Sequence, residues 1–182
     1  IGQTANILLH LGLRHDLAPR DEGGRLWVNQ LQLTIADLVA EAHDVHHPVG
    51  LGLYYEDQKA EAARRAQEFR TQRMKKFLGW FETVLERAPK GSWLTGEALT
   101  YADLSLFQAV EGLRYAFPNA MERLEPKLGR VIAVHDEVAE DLSLRLDSFA
   151  GERCADLGPR QRLPLQRTRD CVVAAGDELV DA

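Results

Sequence analysis

The sequence is short of the features that mark several protein classes. Its two cysteines, Cys154 and Cys171, both fall near the C-terminal end. Two thiols placed this way make neither a disulfide framework nor a zinc-binding pattern, so a reducing cytoplasm is the expected compartment. No apolar run is long enough to cross a bilayer. No charged-then-apolar leader with a small-residue cleavage site opens the chain, so export is not expected either. Lys and Arg form no block and the formal net charge is -6. That balance serves solubility and speaks against a nucleic-acid partner. Strand signals are also missing: there is no alternating Val/Ile/Thr run and no Asn-Gly or Asp-Gly hairpin turn.

What remains is helical periodicity. Of 182 residues, 45% are hydrophobic and 27% charged, which fits one globular domain with room for a piece of a second. The spacing predicts a short helix over 4–11 that stops at Gly12. A connector follows, with Pro19, Gly23 and Gly24 as breakers. A long helix is expected over 25–47, with Trp27, Leu31, Ile35, Leu38 and Ala42 as its apolar side and Leu26, Gln30, Leu33, Asp37 and Ala40 along another face. A second long helix is expected over 59–88, carried by Ala66, Phe69, Phe77, Phe81, Leu85 and Ala88, with Met74, Leu78 and Val84 widening the stripe. Further helices are expected over 101–117, ended by Pro118, and over 125–141. Periodicity fades from Leu142, so 142–182 reads as an irregular tail. The fold class is all-α, a helical bundle.

The sharpest local signal is WLTGEALTYADLSLFQ, residues 93–108. Thr100 suits an N-cap, and Asp103 three positions on can reach back to the Thr100 N–H, closing a capping box with Asp in place of the usual Glu. Leu99 and Leu104 stand where a hydrophobic staple would sit. Behind the cap, Leu106, Phe107, Val110, Leu113 and Phe117 give an apolar stripe, so this helix is expected at the centre. Such a box stabilises a helix and does no chemistry.

The phrase WLTGEALTYADLSLF resembles the capped central helix in the C-terminal domain of cytosolic glutathione S-transferases. The opening IGQTANIL resembles that family's Gln/Glu-Ser/Thr-x-x-Ile-Leu segment, which begins the last helix of its thioredoxin-like N-terminal domain. The order of elements agrees over about residues 1–141. The resemblance implies a remnant of the thioredoxin-like domain in 1–12, a linker in 13–24, a helical C-terminal domain in 25–141, and most of an N-terminal domain ahead of Ile1.

It also implies roles. Gln3 and Thr4 would grip the γ-glutamyl end of glutathione, where exposed amides at a helix start favour an anion. Asp37 matches loosely an Asp that crosses the dimer interface toward glutathione; a plain exposed helix acid is the simpler reading. Tyr54, Tyr55 and Tyr115 would line a pocket for a small hydrophobic electrophile. Glutathione enters as co-substrate, no further cofactor is implied, and homodimerisation through the first two long helices is expected. The family's thiol-activating Tyr, Ser or Cys has no match here, so no catalytic residue is assigned. The chain alone is not expected to conjugate glutathione, whereas the intact protein is. The alternative is a non-catalytic binding or assembly module of the same architecture.

His43-Asp44-Val45-His46-His47 invites a metal test, since His43 and His47 at i, i+4 would share a helix face. Pro48 follows at once and no third ligand appears in a recognisable motif, so no metal is assigned. In the tail, residues 165–170 read one base later can encode Phe-Asn-Glu-Arg-Gly-Ile, close to a C-terminal family segment. A disturbed reading frame after about Asp141 is the expectation drawn from it.

Overall fold

The computed structural model describes residues 1–88, 92–96 and 98–153, with side chains as far as Asp141. Among them the secondary structure is helical, and the only extended pairing is one bridge between Trp93 and Gly96. Cys154, Cys171 and the segment 165–170 lie outside the described residues.

Helix α1 spans Thr4–Arg14. It runs through Gly12 instead of stopping there, because Gly12 is a contact point. A Cβ at Gly12 would lie 2.5 Å from Cδ1 of Tyr101, so only glycine lets α1 cross this close. The chain then turns, with the Leu17 N–H on the Gly12 carbonyl at 2.9 Å and the Tyr101 N–H on the Leu17 carbonyl at 3.0 Å.

Helix α2 spans Glu22–His43, three residues earlier at its start and shorter at its end than the spacing predicts. Asp21 is the cap, its carboxylate accepting the Gly24 N–H at 2.7 Å. Gly23 and Gly24 are therefore inside the helix, not breakers before it. Gly24 is tightly placed, since a Cβ there would meet Pro19 at 2.6 Å. The buried stripe is Val28, Leu31, Ile35 and Leu38. Trp27 is not part of it; it is 37% exposed and leans on Trp80 with ring centroids 6.5 Å apart.

The predicted second long helix is a compound element. A 3-10 turn at Tyr55–Gln58 leads into α3 (Lys59–Glu68), a π turn at Phe69–Arg73, and α4 (Met74–Arg87). The π turn accounts for a slip in the apolar pattern. Ala62, Ala66 and Phe69 follow ordinary helical spacing, but the next buried residue is Met74, five on, followed by Leu78, Phe81 and Leu85. One extra residue in the turn keeps both halves facing the same core. Phe77 is thereby displaced to a half-buried position beside the stripe.

Helix α5 (Tyr101–Ala116) is central, packing against α2 and α7 and touching α1 and α6. Pro118 ends it and opens α6 (Pro118–Leu124) at its first helical position, an element the sequence reading missed. A 3-10 turn at Glu125–Lys127 precedes α7, which spans Gly129–Arg153. Its start is later than expected because Pro126 sits inside the preceding turn. It is capped from a distance: Glu82 on α4 accepts the N–H of Arg130 at 2.8 Å and of Val131 at 2.9 Å. The helix continues past Asp141, so the irregular tail expected from Leu142 is helical through Arg153.

Candidate functional site

Two helix beginnings carry the sharpest of the predicted residues. At the start of α5 both arms of the capping box are present. The carboxylate arm dominates. Asp103 Oδ2 accepts the Thr100 N–H at 2.8 Å and the Thr100 hydroxyl at 2.6 Å, while Oδ1 accepts the Leu94 N–H at 2.8 Å. The Asp103 N–H also points at the Thr100 carbonyl, 3.1 Å away, so the hydroxyl's accepting arm is the weaker one. Asp103 is 0% exposed. Burial pushes its carboxyl above the ordinary range, and the donors from Leu94 and Thr100 pull the other way. The result ties the 92–100 loop to the central helix.

At the start of α1 nothing closes the end. Gln3 makes no side-chain cap and the first turn carries no acid. Gln3 and Thr4 are both exposed. Gln3 has φ 67° and ψ 122°, a left-handed conformation unusual for a residue with a side chain. Holding it costs on the order of 1–3 kcal/mol, which persists only where the surroundings impose it. The Ile7 N–H bonds the Gln3 carbonyl at 3.0 Å, so the amides before it face outward at the positive end of the helix. Leu8 and Leu9 pack on the core and hold the helix in place.

The remaining predicted residues are spread out. Asp37 is exposed on the outer face of α2. Tyr54 is 80% exposed in the loop before α3. Tyr55 stacks on His46 at 4.5 Å and carries the Lys59 ammonium 5.6 Å from its ring centroid. Tyr115 is 46% exposed near the end of α5. A cleft of about 830 Å³ lies elsewhere, where the connector, the start of α2, the end of α4 and the 92–100 loop meet. Trp27, Trp80, Leu99 and Arg87 wall it; of the capping-box residues Thr100 lines it, and of the predicted glutathione and electrophile residues none does. The pattern gave no warning of this cleft, because Trp27 and Trp80 lie on different helices, far apart in sequence.

Two charged networks also escaped the sequence reading. Glu41 on α2 accepts the guanidinium of Arg73, Nε at 2.8 Å and Nη2 alongside, and Arg65 Nη2 at 3.3 Å. The Arg73 hydrogen bond holds the Glu41 carboxyl below its ordinary range against the effect of burial. On α5 and α7, His135 is buried under Phe107, with ring centroids 4.9 Å apart. Its Nε2 lies 2.7 Å from Glu111 and its Nδ1 2.9 Å from Asp136, while Arg114 bridges Glu111 and Glu125. Burial alone would raise the Glu111 carboxyl; hydrogen bonds from His135 and Arg114 outweigh it and lower it. Both networks join helices far apart in sequence, so no short motif announces them.

The metal test resolves differently from the predicted pairing. Helix α2 ends at His43, so His43 and His47 do not share a helix face. Among the described residues no three His, Cys, Asp or Glu side chains gather as a metal set. No described helix is long and apolar enough to cross a membrane.

Residues 43–145 match the family model described as the glutathione S-transferase, C-terminal domain. A search of curated proteins gave no match. Among solved structures, a Pi-class glutathione S-transferase of Onchocerca volvulus superposes with a TM-score of 0.62 at 19% identity, over 89% of this chain and 70% of that one. A second, NaGST-2, gives 0.52 at 22% identity, over 76% of this chain and 62% of its own. At such identities the likeness is one of fold.

Proposed function

Since the chain belongs to the family of the glutathione S-transferase C-terminal domain, we propose that the intact protein is a glutathione transferase. The reaction is attack of the glutathione thiolate on a small hydrophobic electrophile, or on a peroxide. The observation that carries this reading is the start of α1: an exposed helix end with no side-chain cap, whose N-cap residue, Gln3, is held at positive φ. Outward amides and the helix dipole favour an anion there, and a γ-glutamyl carboxylate supplies one. Gln3 and Thr4 grip it, and α1 is the last helix of a thioredoxin-like domain whose earlier part carries the thiol-activating residue. The 182-residue chain alone then binds glutathione weakly and does not turn it over.

Homodimerisation belongs to the same proposal. Leu26 is 64% and Leu33 49% exposed on α2, one heptad apart, with Asp37 on the same face. Pairing of two such faces would bury them and bring Asp37 toward the partner's glutathione. The electrophile pocket draws on Tyr54, Tyr55 and Tyr115, and a cytoplasmic location agrees with the sparse cysteines.

The test is retention of the intact protein on immobilised glutathione together with turnover of a chlorinated aromatic substrate. Both are expected, with Gln3→Ala and Thr4→Ala losing retention while remaining folded. A folded protein that neither binds glutathione nor turns over the substrate would leave the assembly-module reading, to which the exposed α2 face also lends itself.

A further inference from the structure

The transferase reading leaves the histidines after α2 without a role. His46 and His47 are consecutive, yet their rings converge: the Nδ1 atoms are 2.9 Å apart, with ring centroids 4.4 Å apart and planes at 53°. The turn that ends α2 produces this. The Val45 N–H bonds the Ala42 carbonyl at 3.4 Å and the His46 N–H bonds the His43 carbonyl at 3.2 Å. Between them Val45 is buried in the core and anchors the turn. Tyr55 stacks on the outer side of His46, its plane only 19° from that of the imidazole. Gln58 braces the next stretch, its side chain accepting the Val49 N–H at 3.0 Å and donating to the Gly50 carbonyl at 3.1 Å. The pair is therefore held in place before any ligand arrives, which removes much of the ordering cost of binding.

We propose that His46 and His47 chelate a divalent transition-metal ion through their Nδ1 atoms, with copper(II) preferred. In the free protein this contact is a hydrogen bond, one Nδ1 donating its proton to the other. On binding, the metal replaces that proton, the donor ring takes the Nε2–H tautomer through solvent, and both Nδ1 lone pairs turn to the ion. The separation discriminates between metals. With metal–imidazole bonds of about 2.0–2.1 Å, nitrogens 2.9 Å apart subtend about 90° at the ion. A tetrahedral zinc site would ask for about 3.3 Å between them. Ninety degrees suits the tetragonal geometry of copper(II) and nickel(II), and the general affinity order puts copper first. No third His, Cys, Asp or Glu completes a set among the described residues. The other coordination positions are left to water or to an incoming donor. This site does not depend on the glutathione reading.

The experiment is titration of the folded chain with copper(II), nickel(II) and zinc(II) salts in turn, followed by calorimetry and, for copper, electron paramagnetic resonance. One equivalent of copper is expected to bind with a tetragonal spectrum and coupling to two nitrogens, in the affinity order copper, nickel, zinc. His47→Ala and His46→Phe are each expected to weaken copper by about tenfold or more. The Phe variant keeps the ring stacked on Tyr55, so a loss there reports the ligand and not the loop. His43→Ala is expected to change nothing. The proposal is overturned if copper does not bind, if His46→Phe and His47→Ala bind it as the parent does, or if binding instead follows His43.

Discussion

The starts of α1 and α5 are built from similar residue types and do opposite things. At α5 a Thr and an Asp turn inward and consume each other's hydrogen-bonding capacity, with the Leu94 N–H drawn in as well. At α1 a Gln and a Thr stay exposed, cap nothing, and sit on a strained backbone. A helix end satisfied by its own chain is an element of stability. One left open and held in an unfavourable conformation has its amides to offer to something else. The start of α5 meets α1 near its C-terminal end, where Gly12 packs on Tyr101, so the closed end steadies the helix whose opposite end is open.

The largest way to break this contrast is Asp103→Ala. It leaves three donors without an acceptor in a buried place, and unfolding in urea is expected to show a loss of about 3 kcal/mol or more. The pH dependence of the parent has a definite sign. The folded-state carboxyl of Asp103 titrates above its ordinary 3.8. The folded form therefore holds a proton that the unfolded form has released, and this group's contribution falls as pH rises from 3.8 through the folded value. Glu41 and Glu111, lowered in the fold, act in the reverse sense and lose their contribution as pH drops below 4.5. Comparing the parent with Asp103→Asn across this range isolates the first effect.

Gly12→Ala comes next. Its methyl would run into Tyr101 and push α1 off the central helix, costing about 1–3 kcal/mol, read as a lower unfolding midpoint. Glutathione affinity should fall with it, because the open end is carried by the displaced helix. Gln3→Gly sharpens the contrast by changing sign. Relief of the positive φ is expected to raise stability by up to about 1 kcal/mol while glutathione binding weakens. Thr4→Ala is the smallest in stability, within about 0.5 kcal/mol by thermal unfolding, yet it should still lower retention on immobilised glutathione. If Thr4→Ala instead destabilised as a lost cap does, the two helix ends would be alike and the comparison would fail.

Much of this was legible in the chain. The capping box at Thr100 and Asp103 and the central apolar stripe of α5 appear where the spacing put them, and Leu99 and Leu104 both pack on the core. Boundaries were read less well. Gly12, Gly23 and Gly24 looked like breakers, but Gly12 and Gly24 are glycines because Tyr101 and Pro19 press against them. The long helix over 59–88 hid a π turn, visible afterwards as the five-residue step from Phe69 to Met74. Of the candidate site, Gln3 and Thr4 are exposed at a helix start as expected. The cleft walled by Trp27 and Trp80, the ring of partners around His135 and the convergence of His46 with His47 were not anticipated.

The sequence by itself determined the helical class, the core stripes and the closed cap of α5, because each depends on residues within about four positions of one another and is written in local spacing. Only the tertiary structure decided the rest. Glu82 caps a helix forty-eight residues away, Gly12 yields to a ring eighty-nine residues on, and Arg73 reaches back across thirty-two residues to Glu41. Such contacts exist only after helices have crossed at a particular angle and depth. That crossing is set by how whole apolar faces fill one another, not by any single stretch of chain.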